Sequence, residues 1–93
     1  MFARVQTVHQ PANKLDELTQ VARKQLPAAH ELQGFKGFYY LTDRRNGKAL
    51  VISLWETEDD LHQVENYAGR EHVEAETGIK SPPSEIFEVT LEA

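Results

Sequence analysis

The sequence predicts a single α+β domain of βαββαβ order, spanning residues 1–93, on three observations. Four segments carry strand-type alternation or a high density of aromatic and β-branched residues. Amphipathic helical stripes separate the first strand from the second and the third from the fourth. Between the second and third strands stands Asn46-Gly47, a strong hairpin-turn signal because both residue types accept positive φ.

Residues 2–9 (FARVQTVH) set Ala3, Val5 and Thr7 on one side and Arg4 and Gln6 on the other, as a half-buried first strand does. Pro11 ends it. Asn13 followed by Asp16 reads as an N-cap with a carboxylate near the positive end of the helix dipole, so the first helix is expected from about Lys14. Leu15, Leu18, Val21, Ala22, Leu26 and Ala29 form its apolar stripe, opposite Asp16, Gln20, Arg23 and Lys24. Pro27 cannot donate a backbone bond and is expected to kink this helix, or to end it and open a short turn before Gly34.

Residues 35–42 (FKGFYYLT) and 48–55 (KALVISLW) are the hairpin strands. Thr57 with Glu58, Asp59 and Asp60 starts a second helix, a hydroxyl cap followed by a turn of carboxylates, which buries Leu61, Val64 and Ala68. Gly69 interrupts it, and residues 70–77 are expected to form a further turn ending at Gly78. Pro82-Pro83 bars helix, and residues 85–91 (EIFEVTL) alternate as the fourth strand.

A chain of 93 residues has room for one core and buries only about 60 to 65% of the surface its unfolded chain exposes, so a second copy would help considerably. Its 40% apolar and 27% charged content is ordinary for a globular protein. No run approaches the roughly 18 apolar residues of a membrane span, and the first residues lack a signal peptide's layout, so a cytoplasmic location is expected. The absence of cysteine removes disulfides, thiolate metal sites and a cysteine nucleophile. The net charge of −5 spreads over both halves, and Arg44, Arg45 and Lys48 cluster only at a turn tip. Neither nucleic acid nor membrane is therefore an expected partner.

In a hairpin with a two- or four-residue loop, cross-strand partners share a face and their numbers sum to an odd value. One face then collects Phe35, Tyr39 and Leu41 with Leu50, Ile52 and Leu54, and is assigned to the covering helices. The other collects Phe38, Tyr40 and Thr42 with Ala49, Val51, Ser53 and Trp55, with charge only at Lys36 and Lys48 near its ends. Such a face needs a cover other than water. A homodimer contact through Phe38, Tyr40, Val51 and Ser53, a ligand, or both is expected there.

The segment GFKGFYYLTDRRNGKALVISLWETEDDL, set in a βαββαβ order, resembles the antibiotic biosynthesis monooxygenase-like group of dimeric α+β barrels. The resemblance spans nearly the whole chain and is most specific at Gly34-Phe35, the Asp43-to-Gly47 turn and Trp55-Glu56. It implies a ferredoxin-like antiparallel sheet with helices on one face, two subunits packed sheet against sheet, and a pocket between sheet and helices. Members include cofactor-free oxygenases of quinols and polyketide aromatics, haem-degrading enzymes and proteins of no assigned role, so the fold alone does not choose an activity. The haem-degrading branch relies on an asparagine in the first strand, a tryptophan in the second helix and a histidine beyond it. Here the first strand lacks asparagine, Val64 stands near the tryptophan position, and Glu74 or His72 stands near the histidine.

Five residues are candidates for binding or chemistry. Trp55 borders a pocket, where its indole stacks on a planar ligand, or else anchors the core or an interface, the commoner role. Tyr39 is a second pocket candidate. His62 and His72 lie in the second-helix region, where a neutral imidazole takes a proton from a phenol or quinol; each has a surface role as its alternative, and His72 is preferred as the base. Arg4 pairs with a substrate oxygen if its face lines the pocket, and otherwise is exposed or salt-bridged. No histidine and carboxylate set converges on one helical face, and no glycine-rich phosphate loop is present, so neither a metal nor a nucleotide cofactor is expected. The leading function is a cofactor-independent monooxygenase acting on a small aromatic or quinol compound. The alternative is a non-catalytic dimeric module that binds a ligand or a partner.

Overall fold

The computed structural model describes residues 1–66, 75, 77–80 and 82–93. Its elements are β1 (Phe2–His9), α1 (Ala12–Ala29), β2 (Phe35–Asp43), β3 (Lys48–Trp55), α2 (Glu58–His62) with a 3-10 turn over Gln63–Asn66, and β4 (Ser84–Glu88). The sheet order is β2-β3-β1-β4 and every neighbouring pair is antiparallel. This is the ferredoxin-like α+β arrangement. The further turn expected over residues 70–77 lies outside the described residues except at positions 75 and 77, and Ala68 and His72 lie outside them too.

Helix α1 begins two residues earlier than expected, because Pro11 and not Asn13 occupies the cap position. The Pro11 carbonyl accepts from Lys14 N at 2.9 Å and Leu15 N at 3.1 Å, and no side chain caps the helix. Pro27 sits in the last turn, and the helix continues through Ala29. Helix α2 starts as expected: Thr57 Oγ1 accepts from Asp60 N at 3.0 Å, with three carboxylates in the first turn. Strand β4 is shorter than expected, ending at Glu88, although Val89 N still donates to Met1 O at 2.9 Å.

The hairpin loop holds residues 44–47, and Asp43 pairs with Lys48. Only Gly47 takes positive φ there, at +62°, while Asn46 serves by donating its side-chain amide to Asp43 at 2.7 Å. That bond holds the exposed Asp43 carboxyl below its ordinary pKa. Gly47 O accepts from Gln10 N at 2.9 Å, which fastens the hairpin tip to the β1–α1 junction.

The odd-sum register holds from Gly37↔Leu54 to Asp43↔Lys48, but the helices cover the opposite face from the one assigned above. Leu15 and Leu18 of α1 pack on Val8, Tyr40, Ala49 and Val51 in one cluster. Tyr39 and Leu41 are instead 58% and 48% exposed on the open face. The inner face is therefore the one carrying Phe38, Tyr40, Val51 and Ser53, and these four residues are a correction as a dimer contact. Hydrophobicity could not separate the two faces because both are apolar. Phe35 is a second correction: the register slips between Phe35 and Gly37, so Phe35 pairs with Trp55 and turns to the inner face.

Candidate functional site

Helix α1 and the inner face of the sheet do not meet everywhere. Between them lies a cavity of about 190 Å³. Leu18, Ala22 and Leu26 of α1 stand on one side, and Phe38, Tyr40, Val51 and Trp55 of the hairpin on the other. The apolar stripe of α1 thus has two uses: its N-terminal end fills the core and its C-terminal half walls the cavity.

Buried polar side chains of β1 join this wall. Arg4 pairs across the sheet with Ser53 and Gln6 with Val51, so both polar residues share the inner face and line the cavity. They are 6% and 8% exposed. Arg4 Nη1 donates to Gln6 Oε1 at 3.0 Å, and Gln6 Nε2 donates to Pro82 O at 2.7 Å. Hydrogen bonds of this kind offset the cost of taking polar groups out of water. Lys80 and Pro82 reach the wall from the segment before β4, and Lys80 is exposed at the rim.

Trp55 is 1% exposed, and its indole Nε1 donates to Ser53 Oγ at 2.9 Å, a bond that satisfies the N–H inside the fold. Phe35 meets Trp55 edge-on at 5.4 Å between ring centroids, and His30 meets Phe35 edge-on at 5.0 Å. Tyr40 hydroxyl donates to Leu15 O at 3.1 Å. Burial pushes the Tyr40 phenol above its ordinary 10.0, and nearby Asp16 adds to the rise against an opposing hydrogen bond with Thr19. Tyr40 is thus a neutral donor at physiological pH.

Among the sequence-based candidates, Trp55 and Arg4 come together at the cavity. Tyr39 does not: it sits on the open face, and among the described residues Tyr40, one residue on, is the tyrosine at the cavity. His62 is exposed on α2 and does not line the cavity. His72 lies outside the described residues. Gln6, Phe35 and Lys80 were missed. The alternation of β1 already placed Gln6 beside Arg4, but two adjacent polar residues on one face read as a solvent face. The bulge that redirects Phe35 has its only sequence signal in Gly37.

Among the described residues, no three His, Asp or Glu side chains converge as metal ligands, and no helix is long and apolar enough to cross a membrane. The volume of the described cavity lies below the roughly 300–1,000 Å³ of pockets for drug-sized ligands, and none of the described residues lining it is a histidine.

Neither a family model nor a curated protein matches the sequence. Solved structures do match in shape. One named "Putative antibiotic biosynthesis monooxygenase from Nitrosomonas europaea" superposes with TM-score 0.77 at 10% identity, covering 96% of this chain and 89% of that one. A protein of the same name from Deinococcus radiodurans gives TM-score 0.77 at 14% identity, over 100% and 96% of the two chains. The haem degrader MhuD of Mycobacterium tuberculosis, solved with two haems in its active site, gives 0.69 at 21% identity over 100% and 99%. At such identities the likeness speaks for the fold alone. The chain has the ferredoxin-like α+β fold of the antibiotic biosynthesis monooxygenase structures.

Proposed function

We propose that this protein is a homodimeric, cofactor-independent monooxygenase acting on a small aromatic or quinol compound held between α1 and the sheet. The observation that carries the reading is the cavity itself, about 190 Å³ and largely apolar, with Arg4, Gln6 and Ser53 among the polar residues that line it. An apolar cavity of roughly 150 Å³ takes up benzene, so one to two rings suit this volume. A deprotonated naphthol-type substrate can itself reduce oxygen. One oxygen atom enters the para ring carbon as a carbonyl, and the other leaves as water with the hydrogen of that carbon and the phenol proton. The protein's share is to orient the ring, exclude water and accept the first proton. His72 is the proposed base.

The dimer would form through the open face, where Tyr39, Leu41 and Phe87 are 58%, 48% and 51% exposed beside Leu50, Ile52 and Leu54. Apolar surface of this extent favours a covering partner, and a small core benefits from one.

Oxygen uptake with a panel of one- and two-ring hydroquinones and naphthols tests the reading. Turnover should survive exhaustive chelation and fall at least tenfold in His72→Ala. The binding-module alternative is favoured by one feature: none of the described lining residues is a histidine or carboxylate able to take a proton. Binding of panel compounds without oxygen uptake would decide for that module.

A further inference from the structure

We infer that Ser53 determines which ring compound the cavity takes, by donating its hydroxyl proton to an oxygen carried on the ring, carbonyl or phenolic. The inference rests on the cavity reading above and names the group on the ligand that the wall recognises. Ser53 lies on β3, paired with Arg4 of β1 on one side and Phe38 of β2 on the other, and it lines the cavity while only 8% exposed. A serine hydroxyl carries one proton and two lone pairs. One lone pair is engaged by the Trp55 indole Nε1–H at 2.9 Å, a buried donor that needs an acceptor. That bond uses the oxygen of Ser53 and not its proton, and among the described residues no group accepts the proton.

The consequence is a hydrogen-bond donor set into a largely apolar wall. The indole holds Ser53 Oγ from one side, so the hydroxyl proton turns away from Trp55, and accepting one hydrogen bond polarises the hydroxyl as a donor to the next. Around it Phe38, Val51 and Trp55 offer apolar surface for a ring. A ring with no oxygen at this point leaves a buried proton unpaired, at the full cost of desolvating it. A ring that carries an acceptor oxygen there completes a relay from Trp55 through Ser53 to the ligand. Under the oxygenase reading the same bond rests on the phenolate oxygen and favours the deprotonated ring, because donation to a charged acceptor is the stronger bond.

Trp55, the chain's only tryptophan, lines the cavity, and its indole N–H gives a single resonance that reports binding. The probes are 1-indanone and indane, which differ by one carbonyl oxygen, titrated into the protein while that resonance is followed by NMR. Each variant is scored by its ratio of indanone to indane affinity, in which general stability and the ketone's own cost of leaving water cancel. Ser53→Ala should lower the ratio about tenfold, equivalent to about 1.4 kcal/mol. Ser53→Thr keeps a hydroxyl on the same carbon and should hold the ratio within about twofold of the unmodified protein. Loss of Ser53 as a mere partner for Trp55 would weaken both probes alike and leave the ratio where it was. A second measurement needs no variant: the infrared carbonyl stretch of bound indanone should lie below its value in hexane, as that of a hydrogen-bonded ketone does. A ratio that Ser53→Ala leaves unchanged, or a bound carbonyl stretch at the hexane value, would overturn the inference while leaving the cavity a binding site. If neither probe moves the Trp55 resonance, the cavity reading falls and this inference with it.

Discussion

Phe35 and Trp55 meet edge to face, their planes 81° apart, because a bulge at Lys36 puts both on the inner side of the sheet. Both rings line the cavity, and the contact adds to area burial the preference of aromatic rings for this geometry. Phe35→Ala should lower stability by about 2–3 kcal/mol, less than the loss for a fully buried ring because Phe35 is half-buried. Urea denaturation measures the loss, and Trp55 emission should shift to the red as water reaches the indole.

Gly47 holds φ of +62°, and a Cβ there would stand 2.9 Å from Gln10 O. Gly47→Val should therefore cost about 1–3 kcal/mol through left-handed strain alone, plus whatever the clash at the β1–α1 junction adds. Thermal melting checks this. An unchanged melting temperature would mean that the loop relaxes without loss.

The open face predicts how the dimer should break. Leu41→Glu combined with Tyr39→Asp should shift the protein to a monomer in sedimentation velocity and leave its circular dichroism intact. Phe38→Asp, by contrast, puts a charge into the cavity wall under α1 and should destabilise the fold by several kcal/mol. A dimer that survives the first pair of changes would rule out the open face as the contact.

Tyr40 gives a prediction in alkali. Its phenol titrates above 10.0 in the folded state because of burial, so over that range the native protein holds a proton that the unfolded chain has lost. The associated stability is complete below the unfolded pKa and is lost as pH rises through the folded one. Tyr40→Phe should lose about 1 kcal/mol at neutral pH with the bond to Leu15 O, and should show a shallower decline above pH 10.0 than the unmodified protein. Urea midpoints across that range separate the two effects.

Filling the cavity should stop binding without unfolding the chain. Ala22 lines it from α1, and Ala22→Leu adds bulk where open volume now stands. Affinity for a ring-sized ligand should fall at least tenfold, read by Trp55 quenching, while the melting temperature holds or rises.

The order of elements, a tight turn at Asn46-Gly47, the Thr57 cap and the odd-sum pairing of the hairpin were legible in the sequence because each depends on neighbours in the chain or on strict alternation. Alternation says which residues share a face. It does not say which face the helices take when both are apolar, and that choice put Tyr40 rather than Tyr39 at the cavity and left Tyr39, Leu41 and Phe87 uncovered. One bulge reversed the phase for Phe35 alone. The inward Arg4 and Gln6 were decided by tertiary structure as well, since only the folded chain brings Pro82 O to Gln6 and lets two polar side chains satisfy each other out of water.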